Sequence, residues 1–336
     1  MHKYNINIIL SNIFLYIGLF FGVVSYCFSQ DKPALTEKIA AMPVEELTVL
    51  KEVPINLGSI PLSPEFVRYN KYDKNIYISD RRNHRIIVFD TDLNYKTQFG
   101  TLGQGKGEFR SPAGIAFTSN GYIIVAEKRN TRCQIFNKEY NYINQYEAFS
   151  YNGDIETDSQ DRIYANLPSD SSLITVFDIN WKKLERFGKI YDYPRDMRLI
   201  PEYNGILYEV DNNDNLYCIF TETCIIRRYD SNHNLIFEVD YSFIPPVFER
   251  YIEVRKEYEQ EDINYTGLIM HKYLSYFSLD ENYLYIKCRD GITYMFDKND
   301  MTFIKKVNIP AAVFDCILPE YIISVGPGLK IIKKGT

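Results

Sequence analysis

A repeated hairpin constrains what this chain can fold into more than any other feature. Between Asn75 and Asp90, two apolar segments, Ile76-Tyr77-Ile78 and Ile86-Ile87-Val88-Phe89, flank a polar turn. Alternation on both sides of a turn is the pattern of paired strands with one buried face. Tyr122 to Asn137 repeats the apolar pattern and the polar spacing: Glu127, Asn130 and Arg132 stand where the first copy has Asp80, Asn83 and Arg85. Such copies cannot bury their faces alone, so they must pack side by side.

An aromatic residue followed by Asp marks the third strand of the copies: Phe89-Asp90, Phe177-Asp178, Tyr229-Asp230 and Phe296-Asp297, with Phe136-Asn137 as a near match. In chain order these lie 47, 41, 52 and 67 residues apart, the last interval holding an insertion. A period of about 40 to 50 residues with four strands per unit is the signature of propeller blades. The units open at Ser63, Ser111, Asn152, Arg195, Lys272 and Val313. The sixth has three strands, while residues 47–57 alternate like a strand with no neighbour to pair with. The expected fold is therefore all-β: a six-bladed β-propeller of four-stranded blades, its ring closed by the N-terminal strand at about 47–57 joining the C-terminal blade. Closure pairs strand edges that would otherwise be an aggregation liability. The 29 Tyr and 21 Phe agree with a strand-rich body.

Residues 1–29 stand apart. His2 and Lys3 precede an apolar run from Ile6 to Val24 with small residues near its end, the pattern of an export signal peptide. Cleavage after Ser29 would leave Gln30 as the new terminus. A lipid-modified Cys27 and an uncleaved anchor of bilayer-spanning length are the alternatives. All three place the body outside the cytoplasm, periplasmic or extracellular, with membrane contact only through the lipid or the anchor. Residues 30–46 form a polar, partly helical leader, and 47–336 the propeller.

The run Asp80-x-x-Asn83-His84-Arg85-Ile86-x-Val88-Phe89-Asp90, followed by Phe99-Gly100, a Gly-rich link and Pro112, resembles the NHL-repeat propeller family and the exported bacterial six-bladed β-propeller proteins. The likeness is close in blades one and two and decays afterwards; blade three has Asn166-Leu167-Pro168-Ser169-Asp170 at the turn. It implies the propeller fold and a protein-binding scaffold. Related six-bladed folds include lyases and lactonases that hold a metal in the central channel.

The formal charge of −6 argues against a nucleic-acid surface, which needs dense Lys and Arg contacts to phosphate, and no nucleic-acid partner is expected. Gly100 to Gly107 nearly spells a phosphate-binding loop, but Gly107 stands where Ser or Thr must reach magnesium, and a strand follows instead of a helix. Asp211-x-Asn213-x-Asn215 with Glu222 half resembles a calcium loop, yet Leu216 occupies the position that needs Gly. His84, His233 and His271 share no metal-ligand spacing. Cys133, Cys218, Cys224, Cys288 and Cys316 read as small buried hydrophobes, with a Cys218–Cys224 disulfide across a hairpin as the alternative.

Aligning the first strands, which line a propeller's channel, brings Asp154, Asp196 and Asp315 to equivalent positions. Converging carboxylates there would hold a cation or a positively charged ligand. The other readings are that each Asp accepts backbone N–H groups at a strand entrance, or that Arg68 and Arg198 neutralise them. The insertion from 244 to 271 in blade five carries Tyr251 and Tyr258 at helical spacing and then Tyr265, with Tyr273 just after it, a candidate partner surface. Packing of that helix on its own blade is the other reading. The favoured function is an exported, non-enzymatic propeller that binds a protein partner or small ligand at one face of the ring. The alternative is a metal-assisted lyase or lactonase centred on the channel. No cofactor is expected, and a divalent cation in the channel stays open.

Overall fold

Six blades, each with four antiparallel strands, stand around one axis in a computed structural model that describes residues 24–26, 32–54, 62–147, 153–168, 172–191, 204–221, 223–260, 274–309, 314–318, 320–325 and 328–334, and two blades carry a fifth, parallel outer strand. The innermost strands of blades one to six are Pro64–Asn70, Pro112–Phe117, Glu156–Thr157, Ile206–Val210, Leu274–Leu279 and Phe314–Ile317. Each touches the next, and the sixth touches the first, so the ring is closed. Blade six takes its outermost strand, Val49–Pro54, from the other end of the chain, paired antiparallel with Gly328–Lys333. This is the expected closure.

The core lies between blades. Tyr77, Ile86 and Val88 of blade one pack with Ile115, Ile123, Val125 and Phe136 of blade two, and comparable clusters fill the other seams. Inner and middle strands therefore bury both faces, which is why Asn75–Asp80 and Pro112–Phe117 are buried throughout. Outermost strands such as Lys183–Phe187 are largely exposed.

Two sets of turns hold the hairpins. On one face the Asp of each aromatic-Asp pair closes the turn after the third strand. Asp90 Oδ1 accepts the N–H groups of Asp92 and Asn94 at 3.0 and 2.8 Å, and Asp178 and Asp230 do the same. An Asp side chain thereby substitutes for a backbone turn. On the opposite face, buried Asp80 receives Asn83 Nδ2 at 2.8 Å and Arg85 Nε at 3.0 Å, and its Oδ1 accepts the Ser63 N–H from the strand entrance. Blade two repeats this around Glu127, with Asn130 at 2.6 Å and Arg132 at 2.6 Å. Arg132 also binds the carbonyls of Gln104, Gly105 and Glu108, so the Gly-rich stretch is an interblade link. His84 belongs to the same link, its Nδ1 accepting the Ser111 N–H at 3.2 Å. The Asn83→Ala variant is therefore expected to lose about 1–2 kcal/mol of stability with ligand binding unchanged. Denaturant titration beside a binding assay checks this, and lost binding at full stability would contradict it.

The leader is more structured than its polarity suggests. Helix α1, Lys32–Ala41, docks with Ile39 and Thr36 buried; the Thr36 hydroxyl donates to the Phe243 carbonyl, and Lys32 binds Asp240 at 2.6 Å. Val44–Glu46 then adds a parallel strand to the outer edge of blade five. Val24–Tyr26, within the expected signal segment, pairs in parallel with Leu235–Asp240 of blade four.

One expectation is corrected, and one alternative is set aside. Blade four does not begin at Arg195, because its innermost strand is Ile206–Val210, set in register with Leu216–Phe220 by the Asp211 turn. Cys218 and Cys224 are not opposed: Cys218 faces Arg227 in the sheet, and both thiols are free. In this register the position opposite Cys218 lies three residues beyond Cys224, which separates them.

Candidate functional site

A cavity of about 370 Å³ occupies the half of the central channel beside the turns that join first to second strands. Its walls come from the inner strands of blades one to five and from the turns at Lys71–Lys74, Asp211–Asn212 and Asp280–Glu281, with Leu318 contributed by blade six. Arg68, on the innermost strand of blade one, is the central charge. It reaches past blade two, whose innermost strand offers the small residues Ala113, Gly114 and Ala116, and meets blade three. There Arg68 Nη2 lies 2.8 Å from Asp154 Oδ1, and Nε lies 3.1 Å from Glu156 Oε1. The side chains of Arg68 and Asp154 are 13% and 2% exposed, so this pairing takes place largely out of water.

Glu209, on the innermost strand of blade four, completes the group. Its Oε2 accepts the Leu279 N–H at 2.8 Å and the Ser278 hydroxyl at 3.3 Å. One guanidinium thus faces three carboxylates. Burial works against the charge on Arg68, but Asp154, Glu156 and Glu209 more than offset it and hold its proton more firmly than usual. For the acids, burial is the largest influence and outweighs attraction to Arg68. The Asp154 and Glu156 carboxyls are pushed up, and Glu209 is pushed up to about 7.

The acids at the rim are in a different state. Asp211 Oδ1 accepts the N–H groups of Asn213 and Asn215, and its Oδ2 meets Lys298 at 3.1 Å. Burial alone would raise its pKa, but these bonds prevail and hold it below the usual carboxylate range. Asp280 is matched by Lys334 at 2.7 Å and by the Tyr285 hydroxyl at 2.7 Å. The Asp211 segment is therefore a capped turn fastened to blade five; Glu222, the other end of the calcium-like pattern, lies outside the described residues.

Of the channel residues expected from the sequence, Arg68 and Asp154 come together. Asp154 also accepts the Ile155 N–H at 3.0 Å, so it serves both as Arg68's partner and as a strand-entrance acceptor. Asp196 and Arg198 lie outside the described residues and precede the corrected start of blade four. Asp315 lies on the innermost strand of blade six, its backbone opposite Ser324. Glu156 and Glu209 went unnoticed, although signals for both were present. Glu156 stands two residues after Asp154, the spacing that puts strand side chains on one face, and Glu209 is a lone acid in the apolar run Ile206–Val210. Among the described residues, no three His, Cys, Asp or Glu side chains come close enough to hold a metal ion.

The blade-five insertion begins as helix α2, Pro245–Gln260. Val247 is buried in the core between blades four and five, and Tyr251 packs partly buried beside it, stacked on Phe248 with Lys32 of α1 over its ring. The start of this helix is thus covered by the leader. Tyr258 lies at the far end of α2, and Tyr265 and Tyr273 lie outside the described residues. Among the described residues, no helix is long and apolar enough to cross a membrane.

No family model matches the chain. Among curated proteins, it is 30% identical to Protein brain tumor of Drosophila melanogaster over 118 residues, 34% of this chain and 11% of that protein. It is 42% identical to the B-box type zinc finger protein ncl-1 of Caenorhabditis elegans over 45 residues, 13% of this chain and 5% of that protein. Each match spans only a small part of the relative's length. Solved structures resemble it over most of the chain. The WD40 repeats of RRP9 superpose with a TM-score of 0.55 at 8% identity, covering 87% of this chain and 99% of theirs. A Bacteroides fragilis protein named as a candidate exported protein gives 0.52 at 12% identity, covering 84% of this chain and 87% of its own. Hydrazine synthase of Kuenenia stuttgartiensis gives 0.52 at 10% identity, covering 84% of this chain and 98% of that one. The chain is a six-bladed β-propeller. At such low identities the likeness establishes fold alone.

Proposed function

We propose that this chain is an exported, non-catalytic binding protein of the NHL-repeat type, which takes a small ligand into the channel cavity beside the first-to-second-strand turns. The observation that carries this reading is the cavity itself. At about 370 Å³ it falls within the size range of small-molecule sites, and polar groups from blades one, three, four and five converge on it. Export is supported by the apolar run from Ile6 to Val24 behind His2 and Lys3. NHL kinship is supported by the Asp80, Asn83 and Arg85 pattern and its copy at Glu127, Asn130 and Arg132. The channel is preferred over α2 as the site because the leader helix already packs against Tyr251.

Hydrogen exchange tests the proposal directly. The purified body, incubated with the small-molecule fraction of an envelope extract, is expected to gain protection in the strands that hold Arg68, Glu209 and Ser278. Protection confined to α2, and produced by the protein fraction instead, would overturn the channel reading.

A further inference from the structure

We infer that the channel cavity receives a small organic cation, one bearing a primary amine or guanidinium group, seated between the carboxylates of Glu156 and Glu209. This rests on the channel reading above and adds the chemical class of the ligand.

The inference comes from how the cavity's charges are matched. At the rim, Asp211 and Asp280 each have a lysine of their own, Lys298 at 3.1 Å and Lys334 at 2.7 Å. At the floor, Arg68 is the one cation among the described residues that pairs with this acidic group, and its two contacts, at 2.8 and 3.1 Å, go to Asp154 and Glu156. Among the described residues the floor thus carries more acidic than basic groups, and burial makes that imbalance costly. Glu209 is also held ready for a donor. Its Oε2 is fixed by the Leu279 N–H and the Ser278 hydroxyl, while no described residue bonds Oε1, on a side chain that lines the cavity.

The surrounding wall suits an organic cation. Tyr69 and Tyr72 line the same cavity, and each ring already takes a lysine ammonium, Lys74 at 5.9 Å and Lys71 at 5.5 Å. Aromatic faces attract cations through the ring quadrupole. An anion would meet a floor of its own sign. A bare metal ion fits less well, since among the described residues no three His, Cys, Asp or Glu side chains approach closely enough to ligate one. An ammonium or guanidinium, which donates several separate hydrogen bonds, matches carboxylates spaced across a channel. Binding would draw Glu209 fully into its ionised form, and because burial has brought that group to about 7, a proton is released on binding near neutral pH.

Titration calorimetry with three probes of equal chain length, putrescine, butanediol and succinate, tests the inference on the purified body. Putrescine is expected to bind, with a heat near neutral pH that varies with the buffer's ionisation enthalpy, and to bind more weakly as the pH falls and Glu209 protonates. Glu209→Gln is expected to weaken putrescine at least tenfold, and Glu156→Gln serves as the second variant if the first folds poorly. Preference for succinate or butanediol would overturn the cation class while leaving the channel as a ligand site. Failure of putrescine to bind at millimolar concentration would overturn the inference as well, and the hydrogen-exchange result would then decide the channel reading separately. Putrescine binding that survives both variants would place the cation elsewhere and refute the site.

Discussion

Arg68→Met is expected to cost about 3–5 kcal/mol of stability at pH 8, because it leaves Asp154, Glu156 and Glu209 buried without their cation. Methionine keeps much of the aliphatic stem's packing, so the loss reports charge more than volume. The loss should shrink in acid. Each of these carboxyls has a raised pKa in the folded protein, so the folded state holds more protons than the unfolded chain between the two pKa values. Stability therefore falls as pH rises through that window, which for Glu209 extends from its ordinary 4.5 to about 7. Without Arg68 the carboxyls move further up and the slope steepens. Denaturant unfolding at pH 5 and pH 8 measures it. Equal losses at the two pH values would mean that Arg68 matters for packing and that the carboxylates are solvated.

Gly114→Ala is expected to destabilise by about 3 kcal/mol or more, through overpacking that no rotamer change relieves. A Cβ at this position would lie 2.6 Å from the Gly153 carbonyl oxygen, 2.8 Å from the Ile155 nitrogen and 2.9 Å from the Asp154 Cα. All three are backbone atoms of the next blade, and the Gly114 N–H donates to that same Gly153 carbonyl at 2.7 Å. The cost is steric, since Gly114 is not among the glycines with positive φ. The substitution should also displace Asp154 from Arg68, coupling a blade seam to the channel floor. A shift in the denaturation midpoint worth less than about 1 kcal/mol would show that blades two and three separate easily.

The repeat was legible because propeller blades are local objects. Each hairpin forms between neighbouring segments, so the alternation in Asn75–Asp80 and Arg85–Asp90 and the Asp that closes each turn all act within a few residues. The equivalence of Asp80, Asn83 and Arg85 with Glu127, Asn130 and Arg132 survived in three dimensions for that reason. Blade four was misplaced because the run from Arg195 imitates the entrance of blade three, and only pairing with Leu216–Phe220 decides which segment is the innermost strand. The leader was legible as partly helical, but its docking under Lys32, Thr36 and Ile39 involves partners some two hundred residues away.

By itself, the sequence determined the number of blades, their strand order and the closure of the ring by residues from both ends, since each rests on periodicity and on short-range turn chemistry. Only the tertiary structure decided what the channel contains. Arg68, Asp154, Glu156 and Glu209 belong to three blades and are separated by as much as 141 positions, from Arg68 to Glu209. Their charges meet only because the ring brings successive innermost strands around one axis. Which acids find a lysine and which are left to share one arginine follows from that convergence and from burial, and neither has a period that a sequence can display.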